Sequence, residues 1–248
     1  MARKFIDWYT AVGLGYAGEN YPINIFGYNA AVGTAFIPAW EDATVYTFPS
    51  SATAMEIVSD NSGDTQTALV FGLDTDYNVI NETVTLTGLT PANINTSVLR
   101  INSIILLNGQ NAGTITVRPQ GGGTTYAKIL PEVSKTQMSI FSVPADYRLA
   151  IYRIDAYCAT AIQNNRILDF RNEVNNSVTG QHFHVAQTEF RTELKVDRNV
   201  PYVYTEHQDI QLQVKASAGT QFVSIFAEGV LHKYGDAFVP SLPPAATP

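Results

Sequence analysis

The chain has 248 residues, a net charge of −7, and only 15% charged against 45% hydrophobic residues. That balance excludes a disordered chain, and the negative charge argues against a general nucleic-acid binder, which would show a basic face. A chain of this length is one large β domain or two small ones, with enough interior to fold without staples.

Cys158 is the single cysteine, which excludes an intramolecular disulfide and a cysteine zinc site. In its apolar run it reads as a buried, inert thiol. No stretch reaches membrane-spanning length and the first residues lack a secretory run, so synthesis and folding in the cytosol are expected, with no membrane partner.

Residues 1–43 are broken by Gly13, Gly15, Gly18, Gly27 and Gly33, and Pro22 and Pro38 oppose a long helix or a central strand. The same stretch carries many aromatics. It is expected to be an extended arm that either wraps its own body or straps a neighbouring subunit, where aromatics dominate contact energy. The contact residues expected are Trp8, Tyr9, Tyr16, Tyr21, Phe26 and Trp40. Deleting 1–43 should then leave a folded body that no longer binds its partner.

From residue 44 the chain turns to short β-branched runs separated by Gly, Asp and Asn: Met55-Glu-Ile-Val-Ser59, Thr67-Ala-Leu-Val-Phe-Gly-Leu-Asp74, 79–86, and Asn111-Ala-Gly-Thr-Ile-Thr-Val117. Spacing of about ten residues between runs predicts an antiparallel sandwich or barrel. The apolar run 98–107 should lie near the core, and Asn108-Gly109 is a hairpin cue leading into 114–118. A second series follows at 137–143, 147–160, 166–174, 181–196, 208–216 and 222–231. The run 181–196 is too long for an unbroken strand, so a bulge or bend is expected there. In 211–217 alternation turns Leu212 and Val214 inward. The predicted fold is all-β: an antiparallel β-sandwich, jelly-roll or Greek-key-like, with the N-terminal arm 1–43, one composite body over 44–235 and a Pro-rich tail over 236–248. A further boundary near 124–136 stays open.

No chemistry-bearing constellation emerges. Gly13-Leu-Gly-Tyr-Ala-Gly18 matches a dinucleotide fingerprint in spacing but lacks the flanking strand and helix, and no P-loop or nucleophile elbow is present. His182 and His184 share a strand face, a spacing that can hold a metal, with Glu189 or His207 as completing ligands. A surface histidine pair accounts for them more simply. Asp74-Thr-Asp-Tyr-Asn78 begins like a calcium loop, but Val79 stands where glycine is required, so turn chemistry explains it better; the same holds for Asp60 and Asp64. Neither an enzyme, nor a cofactor, nor a metal centre is expected.

Residues 40–123, with Tyr46-Thr-Phe-Pro49 followed by the runs quoted above, resemble a β-sandwich module of virion structural proteins from tailed bacteriophages, especially marine podophages. The resemblance implies a non-enzymatic capsid decoration or cement protein on the virion surface, a homotrimer bound to the major capsid protein lattice. Uncharged Thr, Ser, Asn and Gln faces, easily desolvated at lateral contacts, suit that role. A tail, neck or fibre-base component is the alternative within the class. Outside it stands a carbohydrate-binding jelly roll, with Tyr202, Tyr204 and Tyr234 stacking on sugars.

Overall fold

The computed structural model describes residues 7–42, 44–158 and 167–235. A short helix α1 (Trp8–Gly13) precedes β1 (Asn20–Val32) and β2 (Ile37–Pro38). Next come β3 (Met55–Ser59), β4 (Thr67–Leu73), β5 (Val79–Thr85), β6 (Ala92–Asn93), β7 (Arg100–Leu106), β8 (Ile115–Pro119) and β9 (Ala127–Ile129). The rest holds β10 (Ile140–Ser142), β11 (Tyr147–Cys158), β12 (Leu168–Asn176), β13 (Gln181–Phe190), β14 (Glu193–Tyr204), β15 (Gln208–Ala216) and β16 (Gln221–Lys233). All pairings among the described strands are antiparallel.

The strands form two bodies, each around its own core. In the larger, one sheet runs β1-β16-β11-β14 and the other β10-β15-β12-β13, with β2 beside β15. Both sheets turn alternate apolar residues toward one cluster: Leu149, Ile151, Val223 and Ile225 from the first, Phe170, Ile210, Leu212 and Val214 from the second. The smaller body, built from β6-β3-β8-β9 and β5-β4-β7, closes around Met55, Ile57, Val70, Ile104 and Val117. It is inserted between β2 and β10. The inward placement of Leu212 and Val214 and the burial of most of the 98–107 run, Leu107 excepted, agree with the sequence.

Four expectations change. Residues 20–32 form a full strand rather than part of an arm. β1 occupies the sheet's edge, where proline costs no internal ladder bond, and Pro22 faces Val230 within the register. Residues 7–19 precede the sheets, and α1 is started there by Asp7, whose Oδ1 accepts the Thr10 N–H at 3.0 Å. The body expected as one composite unit over 44–235 divides instead near residues 39 and 139, and strands on both sides of 124–136 contribute to the smaller core. Asn108-Gly109 does not close a hairpin, because β7 pairs with β4 while β8 pairs with β3 and β9; the turn carries the chain between sheets. The expected bend in 181–196 becomes a complete break, with β13 in one sheet and β14 in the other. The Pro-rich tail 236–248 and the first six residues of the expected arm lie outside the described residues.

The bodies are joined by a buried ion pair. Arg100 of β7 forks onto Asp209 of β15, Nε to Oδ1 and Nη2 to Oδ2, both at 2.8 Å. Its remaining donors reach the carbonyls of Pro49 and Leu99 and the Tyr77 hydroxyl, so no guanidinium face is left bare. Asp209 also accepts the Ser142 hydroxyl at 2.6 Å, and Asn102 and Ser142 exchange two further bonds. Both charges are thus compensated in place, the condition for burying them.

Candidate functional site

Large surfaces are left uncovered on one side of the larger body. Strands β13 and β14 form its far edge, each bonded on one side only. Of their residues only Phe190 and Tyr204 are buried. Phe183 is 43% exposed, Val203 59% and Val200 72%, with Val178 exposed in the turn before β13. Strands this long normally bury at least one face. Here Val185, Leu194, Val196 and Tyr202 pack half-buried against the larger core, while the neighbouring apolar residues stay uncovered.

A second uncovered area is the outer face of the β1-β16-β11-β14 sheet. Trp8 and Tyr9 of α1 meet edge to face at 5.2 Å, and Tyr9 meets Tyr152 of β11 in the same way at 5.2 Å. Tyr21 lies near Tyr147, with ring centroids 6.3 Å apart. Between helix and sheet opens a depression of about 500 Å3 lined by Trp8, Tyr152, Pro201, Val203, Val230 and His232. Of the six contact residues expected from the sequence, Tyr9, Tyr16, Tyr21 and Phe26 are exposed, with Tyr16 at 73%. Trp8 is half-buried beside them. Trp40 is a correction: at 1% exposure it sits in the smaller core, edge-on to Tyr46, with Nε1–H donated to the Thr44 carbonyl. Its apolar ring is worth more there than at a surface.

Each of the tyrosines expected to stack on sugars is already engaged within the chain. Tyr204 is buried with its hydroxyl accepting from Asn172. The Arg198 guanidinium covers Tyr202 at 4.2 Å, and Arg148 covers Tyr234 at 4.3 Å. Cys158 is half-buried rather than buried, its sulfur 3.6 Å from Gln221 Oε1.

The carboxylates of the two candidate calcium turns are occupied by backbone donors. Asp74 Oδ1 accepts the N–H groups of Asp76 and Asn78, both at 2.9 Å. Asp64 is buried, which pushes its carboxyl up, but bonds from Ser59, Ala112 and Gly113 outweigh burial and hold it below the usual range. Glu41, where the chain enters the smaller body, is different. Burial pushes its carboxyl up to about 8 against the opposing bond from the Gln137 N–H, and its Oε2 has no hydrogen-bond partner among the described residues.

Among the described residues the histidine pair does acquire a carboxylate, but not an expected one. A register shift after Asn172 sets Glu173 of β12 opposite His184, with His182 two residues along. The three side chains bring ligand atoms within 4.8 Å of one another. Glu189 and His207 are not part of the group. The i, i+2 histidine spacing was visible in the sequence; the carboxylate depends on a cross-strand register that no local pattern encodes. No helix among the described residues is long and apolar enough to cross a membrane. No family model, curated protein or solved structure matches the chain.

Proposed function

We propose that the chain is a non-enzymatic virion structural protein of capsid decoration or cement type, folded as a jelly roll with a second β unit inserted after its first long strand. Taken in chain order, β1 and β10 to β16 stand first-eighth-third-sixth in one sheet and second-seventh-fourth-fifth in the other. That order supports a double-sheet jelly roll, an architecture shared by viral capsid and lectin domains.

The observation that carries the assembly role is the β13–β14 edge, two long strands that pack only part of their apolar side chains on the larger core and leave Phe183, Val200 and Val203 uncovered. Exposed Phe183, Val200 and Val203 are apolar surface that gains by being covered. A homotrimer seated on the major capsid protein lattice would cover it, with the aromatic face around α1 as a further contact. A cement protein stabilises a shell by binding only the assembled lattice, and weak identical contacts add through multivalency. The covered faces of Tyr202 and Tyr234 weigh against the sugar-binding alternative.

Labelled-antibody electron microscopy on purified particles tests location. Label over the head is expected, and label confined to the tail or absent from particles would overturn the cement role. Removal of residues 1–43 is not a clean test of the N-terminal contacts, because it deletes β1 and β2. Truncation before residue 19 spares both strands; it is expected to leave a folded protein with reduced shell occupancy.

A further inference from the structure

We propose that Glu173, His182 and His184 form a binding site for a borderline divalent transition ion of the zinc class, presented on the outer face of the β12–β13 pair. His182 Nε2 lies 3.4 Å from Glu173 Oε1, and His184 Nε2 lies 3.6 Å from Oε2. Zinc–nitrogen and zinc–oxygen bonds of about 2.0–2.1 Å in a tetrahedron place neighbouring ligand atoms about 3.3 Å apart. Each separation stands close to a ligand edge, His182 to one carboxylate oxygen and His184 to the other, and the ligand atoms all lie within 4.8 Å of one another. The imidazoles are set edge to face with centroids 5.8 Å apart, and both are exposed enough to rotate inward around an ion.

The carboxylate is positioned from behind. Gln213 Nε2 donates to Glu173 Oε1 at 3.2 Å, and Arg171 Nη2 pairs with Oε2 at 2.6 Å. Arg171 is itself fixed by Gln213 Oε1 and stacks on the Phe36 ring at 4.1 Å. Such outer contacts orient a metal-binding carboxylate. Two imidazole nitrogens and one carboxylate are a donor set suited to zinc and leave a fourth position open to water or an incoming group. Arg171 also sets a limit: its positive charge offsets that of Glu173, so the ion meets a nearly neutral site and binds weakly compared with a closed structural centre. The site does not depend on the assembly role proposed above.

Equilibrium dialysis of the untagged full chain against Zn2+, with Co2+ absorption as a second readout, tests the site. One ion per chain is expected, with a Co2+ visible band of low-coordinate character. His182→Ala and His184→Ala should each weaken uptake at least about tenfold, as should Glu173→Gln. The two histidines are solvent-facing, so their variants should keep the wild-type circular dichroism. Absence of saturable uptake, or undiminished uptake in the two histidine variants, would overturn the proposal and leave the group as an imidazole–carboxylate contact.

Discussion

Strands β15 and β13 lie on either side of β12, and polar and apolar residues take turns along β15 and over 182–185 of β13. β15 is buried on both faces at nearly every position, whereas β13 is exposed at seven of its ten. Phe183 stands directly opposite Val174, which is fully buried, yet remains 43% exposed. The difference is in what each strand meets. The inward residues of β15 meet the facing sheet, while the inserted body contacts its outward side through Arg100 and Asp209. Alternation in a sequence states which way side chains turn; it does not state whether anything waits for them.

That contrast can be broken first where it is strongest. Replacing Arg100 by Met should cost about 3–5 kcal/mol in urea unfolding, because it leaves the Asp209 carboxylate buried without its partner. A loss below about 1 kcal/mol would mean that the bodies are not held by this pair. Leu212→Ala should cost about 2–5 kcal/mol through the cavity it leaves in the larger core. Phe183→Ala on the neighbouring strand should cost far less, and equal losses would erase the distinction between the two strands.

Glu41 sharpens the comparison by pH. Its folded-state pKa lies above the unfolded value, so its contribution is fully present below about pH 4.5 and is lost as pH rises through about 8. Glu41→Gln should remove that dependence, and near pH 8 exceed wild-type stability by about 2–4 kcal/mol. Parallel pH profiles for the two proteins would show that the carboxyl is not held neutral. The smallest effect on the isolated chain is expected from Val200→Asp, within about 0.5 kcal/mol in unfolding, as for other surface changes. In analytical ultracentrifugation the same variant should shift an oligomer toward monomer, and an unchanged distribution would remove β14 from the contact surface.

Much of the inserted body was legible because its strands are short, β-branched and separated by turn residues whose side chains bond the local backbone, as Asp74 does. β1 was not. Its glycine and proline suggest a loop, and its strand character comes from β16, about two hundred residues away. The division into two bodies was hidden for a related reason: no linker marks it, only a switch in which residues share a core. Arg100 and Asp209 are separated by 109 positions and carry no local signature of pairing. In the histidine group the strand-face spacing could be read, whereas Glu173 required the register shift after Asn172.

The crossing at residues 39 and 139 has a consequence for ancestry and engineering. The Ser139 N–H donates to the Ala39 carbonyl at 2.8 Å, and the Ala39 N–H donates to Ser139 Oγ at 2.8 Å. Gly27 lies against the same point; a Cβ there would stand 2.2 Å from the Ala39 oxygen and 2.5 Å from the Ser139 nitrogen. Departure and return of the inserted body thus share one narrow doorway, sized by a missing side chain. A chain rejoined at that doorway would keep every strand of the host, provided Asp209 were neutralised.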